Sequence, residues 1–276
     1  MDRLITFSAV TPMFVNVLST PSSEKAVSIE ISGACLRYHD SPEKTLAGLN
    51  MRMPAGRWTC ILGRSGCGKS SLLRHLASLL KDKVEWTGAV KTDPQCAIKD
   101  QVSYMAQQDL LMPWLSVLDN VLLSCKFGAA NAQVDRTLAQ KNKALLLLKN
   151  VGLADQANHL PQQLSGGVRQ RTALARTLMQ NKPIVLMDEP FSALDAVTRY
   201  RLQNLAYQLL QDKTVVLITH DPQEAIRLAN QLYIMQGRPA FAESLSLPVS
   251  VTPRKFDAQC AELQQTILER LEKDYE

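Results

Sequence analysis

The stretch GRSGCGKS, Gly63–Ser70, limits what this chain can become more than any other. It has the spacing GxxxxGK[ST], follows the apolar run CIL and opens the segment KSSLLRHLASLL. In that segment Leu72, Leu73, Leu76, Leu79 and Leu80 recur at intervals of three and four, which predicts one apolar helix face. A strand, a glycine-rich turn and a helix in that order is the context in which this spacing cradles phosphate. Gly63, Gly66 and Gly68 let the backbone curl, so that N–H groups from about Ser65 to Ser71 face inward. Gly63, Arg64, Ser65, Gly66, Cys67, Gly68, Lys69, Ser70 and Ser71 are therefore the expected nucleotide-binding segment. Within it, Lys69 is expected to bridge the β- and γ-phosphates and the Ser70 hydroxyl to ligate Mg²⁺.

Two later segments supply the matching acids and base. PIVLMDEP and TVVLITHD are nearly continuous apolar runs, as strands buried on both faces of a parallel sheet read. Asp188 ends the first run, and an acid there is costly without a cation; Mg²⁺ with its waters would provide one. Glu189, one step on, points elsewhere and is expected to polarise a water attacking the γ-phosphate. Such general-base help is typically worth about 10²–10⁴ in rate. His220 ends the second run; alone it would read as structural, but beside these acids it is a candidate γ-phosphate contact. His39, His75 and His159 have no such context and read as solvated or packing residues.

The coarse pattern is α/β. VSIEISG, LAGLNMRM, RWTCILG and QVSYMAQ read as further strands, and strands alternating with helices imply a mostly parallel sheet. From about 115 to 181 the chain turns rich in Leu, Ala, Gln and Lys at helical spacing, a helical insertion with Gly152 at a C-cap position. Cys260, Leu263, Ile267 and Leu271 predict an amphipathic helix over 251–276, packed back on the domain. Residues 1–26 are uncharged from Leu4 to Ser23, broken by Pro12 and Asn16, and lack a small-x-small cleavage pattern. They are expected to be a poorly ordered leader, with Met13 as an alternative start. The main domain spans 27–250.

Bulk properties exclude more than they assign. A hydrophobic content of 46% over 276 residues allows a sizeable core. The net charge of +5 is spread without a basic run, which argues against a nucleic-acid partner. The cysteines at 35, 60, 67, 96, 125 and 260 contain no CxxC pair, so neither a zinc site nor a disulfide framework is expected.

QQLSGGVRQR, Gln162–Arg171, looks like a second anion site, a glycine pair behind a serine at a helix start. Taken with the segments above and in this order, it resembles the signature motif of the ATPase subunit of ATP-binding cassette transporters. The resemblance covers about 27–250 and implies a phosphate-loop NTPase core with an antiparallel β subdomain and a helical subdomain. It implies ATP and Mg²⁺ as ligands, Tyr38 stacked on adenine, and Gln107 sensing Mg²⁺ and the attacking water. It further implies a head-to-tail homodimer in which Ser165, Gly166, Gly167 and Asp195 meet the ATP held by the other chain.

LLMPWLSVLDNV and IMQGRPA are similar to the importer branch serving nitrate, sulfonate, taurine and thiamine-pyrimidine-precursor uptake. That likeness implies separate transmembrane permease subunits, an extracytoplasmic solute-binding protein, and a peripheral place on the cytoplasmic face of the membrane. The chain is read as one cassette without a fused span or the extra regulatory β-domain of sugar-type importers. Trp114 is open between packing in the helical subdomain and contact with the permease. Two positions depart from the family pattern. Arg64 stands where Pro or Ser is frequent and is expected to matter little. Val168 stands where Gln is commonest, at a helix-propensity cost of a few tenths of a kcal/mol, roughly. A translation or DNA-repair cassette, an exporter ATPase and a small-molecule kinase are the competing readings. The first lacks a second cassette or long coiled coil here, and the last lacks an acceptor lid.

Overall fold

A computed structural model describes residues 26–127 and 134–274; all but the last residue of the expected leader lies outside them. Alternating residues build the first layer. Strand β1 (Ser28–Tyr38) buries Ile29 and Ile31 and exposes Glu30, and pairs antiparallel with β2 (Lys44–Met53) and β4 (Val84–Asp93). These form a three-stranded sheet in the order β2-β1-β4.

The second sheet is built from the apolar runs. β3 (Trp58–Gly63), β5 (Val102–Met105), β6 (Ile184–Asp188), β7 (Thr214–Ile218) and β8 (Gln231–Gln236) are parallel, and β9 (Phe241–Leu245) closes one edge antiparallel. The strand order is β5-β6-β7-β3-β8-β9. Every residue of β3, β6 and β7 is buried, because both faces are covered. Successive residues of β3 enter different cores: Trp58, Cys60 and Leu62 join the helical side, whereas Ile61 joins the side covered by the antiparallel sheet.

The helices are α1 (Lys69–Leu76), α2 (Ile98–Gln101), α3 (Val117–Phe127), α4 (Val134–Asn150), α5 (Gly166–Met179), α6 (Ala196–Leu209), α7 (Pro222–Leu228) and α8 (Ala258–Lys273). α1 is shorter than its leucine pattern suggests. It stops at Leu76 and Ser78 takes a left-handed φ of 59°, so Leu72, Leu73, Leu76 and Leu80 are buried but Leu79 is 54% exposed. A local turn overrode the periodicity. Gly152, at φ 71°, ends α4, with the Leu153 N–H returning to the Leu148 carbonyl. His75 stacks on Trp86 with ring centroids 3.9 Å apart, as a packing residue does.

α8 starts later than position 251. Asp257 caps it, accepting from the Cys260 N–H at 2.9 Å, and the helix buries Cys260 and Ile267 fully against the helical-side core. Upstream, buried Arg254 donates to the carbonyls of Ile226 and Ala229, which fixes the approach to α8. No helix of the described residues is long and apolar enough to cross a membrane.

Candidate functional site

The carboxyl end of the parallel sheet gathers most of the sequence-derived candidates, as open α/β sheets do. β3 runs straight into the phosphate loop. At Gly63 a Cβ would lie 2.5 Å from the Met235 carbonyl oxygen, so only glycine lets the strand end this close to β8. Gly68, at φ 99°, immediately precedes α1, and a Cβ there would meet Leu46 and Thr45 at 2.8 Å. The buried Lys69 Nζ donates to the carbonyls of Gly63 and Arg64, both at 2.7 Å, so the loop is folded around its own ammonium. Tyr38, at the end of β1, shares a 2.9 Å hydroxyl–hydroxyl contact with Ser71. Ser65, Gly66 and Cys67 face residues 237–240 of the β8–β9 turn across a cleft of about 880 Å³.

Arg64, the departure expected to matter little, is tied into the fold. Its guanidinium is buried, with Nε 3.1 Å from Asp274 Oδ2 and Nη1 donating to the Asp274 carbonyl at 2.9 Å.

Three neighbouring parallel strands, β5, β6 and β7, deliver Gln107, Glu189 and His220 just past their carboxyl ends. Adjacency in the sheet therefore puts these side chains side by side. Gln107 Nε2 donates to Glu189 Oε2 at 3.3 Å, and His220 Nδ1 lies 3.1 Å from the same oxygen. Glu189 holds a left-handed φ of 51°, with its N–H bonded to the Ile218 carbonyl at 2.9 Å. Such a conformation costs a non-glycine residue about 1–3 kcal/mol and is characteristic of functional sites. It separates Glu189 from its neighbour Asp188. Asp188 is 1% exposed, and its Oδ2 has no hydrogen-bond partner. Burial pushes its carboxyl upward, and the Ser70 hydroxyl and Lys69 pull the other way. A buried, unsatisfied carboxylate oxygen beside a serine hydroxyl suits a hard, oxygen-seeking cation such as Mg²⁺.

The glycine pair opens α5. Ser165 caps the helix through a 3.4 Å contact from the Val168 N–H, and Ser165 and Gly166 are exposed. Gly166 lines a different cleft of about 420 Å³, together with Gln107 and Ser192, and none of the phosphate-loop residues lines that cleft. Asp195 caps α6, accepting from the Thr198 N–H at 3.0 Å, which holds its carboxyl below the usual range. Trp114 is 72% exposed, so the packing alternative for it is overturned. Val168 is buried in the helical-side core, a place that suits its apolar side chain.

Sequence reasoning missed Gln170. It is buried, Nε2 donates to the Glu189 carbonyl at 3.0 Å and to Ser192 Oγ at 3.3 Å, and Oε1 accepts from the Ala193 N–H at 2.9 Å. A signal existed: Gln170 shares the spacing of Ala173, Leu174 and Thr177, so a polar amide falls on the buried face of α5. Arg169 and Arg176 extend the same tie to the Gln107 loop. Arg169 pairs with Asp109 at 3.0 Å, and Arg176 donates to the Asp109 and Leu110 carbonyls at 2.6 and 2.8 Å.

Known proteins resemble this chain in sequence and fold. Residues 46–192 match the family model described as ABC transporter. An uncharacterised ABC transporter ATP-binding protein of Haemophilus influenzae is 42% identical over 81% of this chain and 90% of its own length. The aliphatic sulfonates import ATP-binding protein SsuB of Yersinia pestis is 41% identical over 82% of this chain and 79% of its own length. Among solved structures, the dimeric post-hydrolysis state of the ATP-binding cassette MJ0796 bound to ADP and Pi aligns with a TM-score of 0.66. It is 28% identical and covers 83% of this chain and 100% of that one.

Proposed function

This chain belongs to the ABC transporter family as an ATP-hydrolysing, ATP-binding subunit, and from that premise we propose how its residues divide the work. The loop N–H groups from Ser65 to Ser71 hold the phosphates of ATP, Lys69 neutralises the β- and γ-oxygens, and Tyr38 lies against the adenine. Ser70, Asp188 and the amide oxygen of Gln107 hold Mg²⁺, which when bound supplies positive charge to the phosphate oxygens. The solitary Asp188 Oδ2 beside Ser70 supports this assignment.

Glu189 accepts a proton from the attacking water, and His220 steadies both Glu189 and the γ-phosphate. The convergence of Gln107 and His220 on one Glu189 oxygen is the observation that carries this reading. With both neighbours in place, the carboxylate has one orientation rather than several, and orientation is a large part of what a general base contributes.

Ser165, Gly166, Gly167 and Asp195 act on the ATP held by a second copy of the chain. Phosphate loop and signature line different clefts of one chain, and the dimeric MJ0796 cassette supports a paired arrangement. ATP is then the adhesive between two subunits, and its hydrolysis releases them.

The subunit energises import of a small solute of the aliphatic sulfonate class, in line with the SsuB relatives, with taurine, nitrate and thiamine precursors as the other members of that branch. It sits on the cytoplasmic face of the membrane against permease subunits, and an extracytoplasmic binding protein selects the solute. The exposed Trp114, on the segment following Gln107, is offered to the permease.

Phosphate release by the purified subunit tests the reading: Lys69→Ala and Glu189→Gln should each abolish it. Undiminished release from either variant would overturn the assignment. Thermal shift of the partner binding protein against sulfonates, nitrate and thiamine precursors tests the solute.

A further inference from the structure

The C-terminal helix ends where the phosphate loop begins, although the two are far apart in sequence. Asp274, just past α8, engages Arg64 through its carboxylate and its carbonyl. The other carboxylate oxygen accepts from the Gly237 N–H at 2.6 Å. One residue therefore grips both walls of the 880 Å³ cleft, the wall starting at Ser65 and the wall formed by Gly237, Arg238 and Pro239. A second tie holds the same helix end to the same hairpin, Arg270 to Glu243 at 2.7 Å. The Arg64–Asp274 side chains are only 8% and 10% exposed, so the pair is shielded from salt and water.

The loop side of this tie bears on phosphate binding directly. The Arg64 carbonyl is one of the two that accept from Lys69 Nζ. Fixing the Arg64 side chain thus fixes the backbone oxygen that orients the ammonium. Serine or proline at this position could not reach the helix end.

We propose that Asp274 is a positioning residue for nucleotide binding, holding the phosphate loop and the β8–β9 turn at a set separation through Arg64 and Gly237. The inference rests on the nucleotide reading of the loop given above. A pre-organised loop loses less freedom when phosphate binds, so the effect falls on affinity. Glu189, Gln107 and His220 are held by other contacts, so turnover at saturation should be spared.

The test is a fluorescent-nucleotide titration and steady-state kinetics on the full chain, with folding followed by circular dichroism. Asp274→Asn should raise the Kd for ATP and ADP alike, and the KM, by about tenfold, with kcat within about twofold. Arg64→Ser should do the same, and the double variant should be no worse than either single one. Asp274→Glu, which keeps the charge, should recover most of the affinity. Unchanged Kd in folded Asp274→Asn, or fully additive losses in the double variant, would overturn the proposal. If Asp274→Asn does not fold, Arg64→Ser with normal affinity is equally decisive against it. Lys69→Ala in the same titration separates the two readings. Normal ATP binding by Lys69→Ala contradicts the nucleotide site itself, whereas normal binding by Asp274→Asn alone contradicts only the clamp.

Discussion

Gln170 donates its amide to the Glu189 main-chain carbonyl at 3.0 Å, which ties the helix opening at Gly166 to the residue proposed above as general base. Because the same side chain accepts from the Ala193 N–H at 2.9 Å, it also ties the helix to the segment leading to Asp195. Gln170→Ala removes that tie: the Ala193 N–H loses its acceptor, and the Glu189 carbonyl is left to Ser192 alone. It should lower kcat by about tenfold or more through a misplaced Glu189, with the Kd for ATP unchanged. Steady-state rates beside nucleotide titration check this, and a loss confined to binding would count against it.

Asp188 makes a prediction about stability whose sign opposes its effect on activity. Its folded carboxyl is pushed up by burial, so between the ordinary value of 3.8 and the raised folded value the native state binds more protons. Stability is therefore lost as pH rises through that window, and at neutral pH the buried charge opposes folding. Asp188→Asn should raise stability by about 1–3 kcal/mol, a few degrees in Tm, while abolishing ATP hydrolysis. Thermal melts without nucleotide, at pH 7, give the comparison; a lower Tm would contradict the buried-charge account.

Val168→Gln restores the commoner residue of the signature but at a buried position. The glutamine head would enter an apolar core, at a cost of about 1–3 kcal/mol. The variant should melt earlier and hydrolyse ATP at a near-normal rate below its Tm, because Ser165, Gly166 and Gly167 are unaltered. Chemical denaturation with an activity assay tests both halves.

What could be read in the sequence was what is local. The phosphate loop, the acids ending β6 and the histidine after β7 lie in contiguous strings, and a parallel sheet brings such strand ends together. The buried strands were legible because continuous Val, Ile and Leu has few other uses. Leu79 failed because a single left-handed residue at Ser78 broke the helical phase. The helical spacing of Gln170 could show that it is buried, but its partners, the Glu189 carbonyl, the Ser192 hydroxyl and the Ala193 N–H, lie some twenty residues away and no spacing rule encodes them. The Arg64–Asp274 tie was beyond reach for the same reason at far larger separation. Trp114 showed only that it was apolar and helix-adjacent; its 72% exposure is a fact of tertiary structure.

The central claim is that the signature of one chain completes the ATP site of another. Light scattering of Glu189→Gln with and without saturating ATP tests it most directly, because this variant should bind ATP without consuming the adhesive. A dimer that appears with ATP, and that is lost when Ser165→Arg is added while ATP binding persists, is the predicted result. A monomer at saturating ATP, or a dimer indifferent to Ser165→Arg, would contradict it.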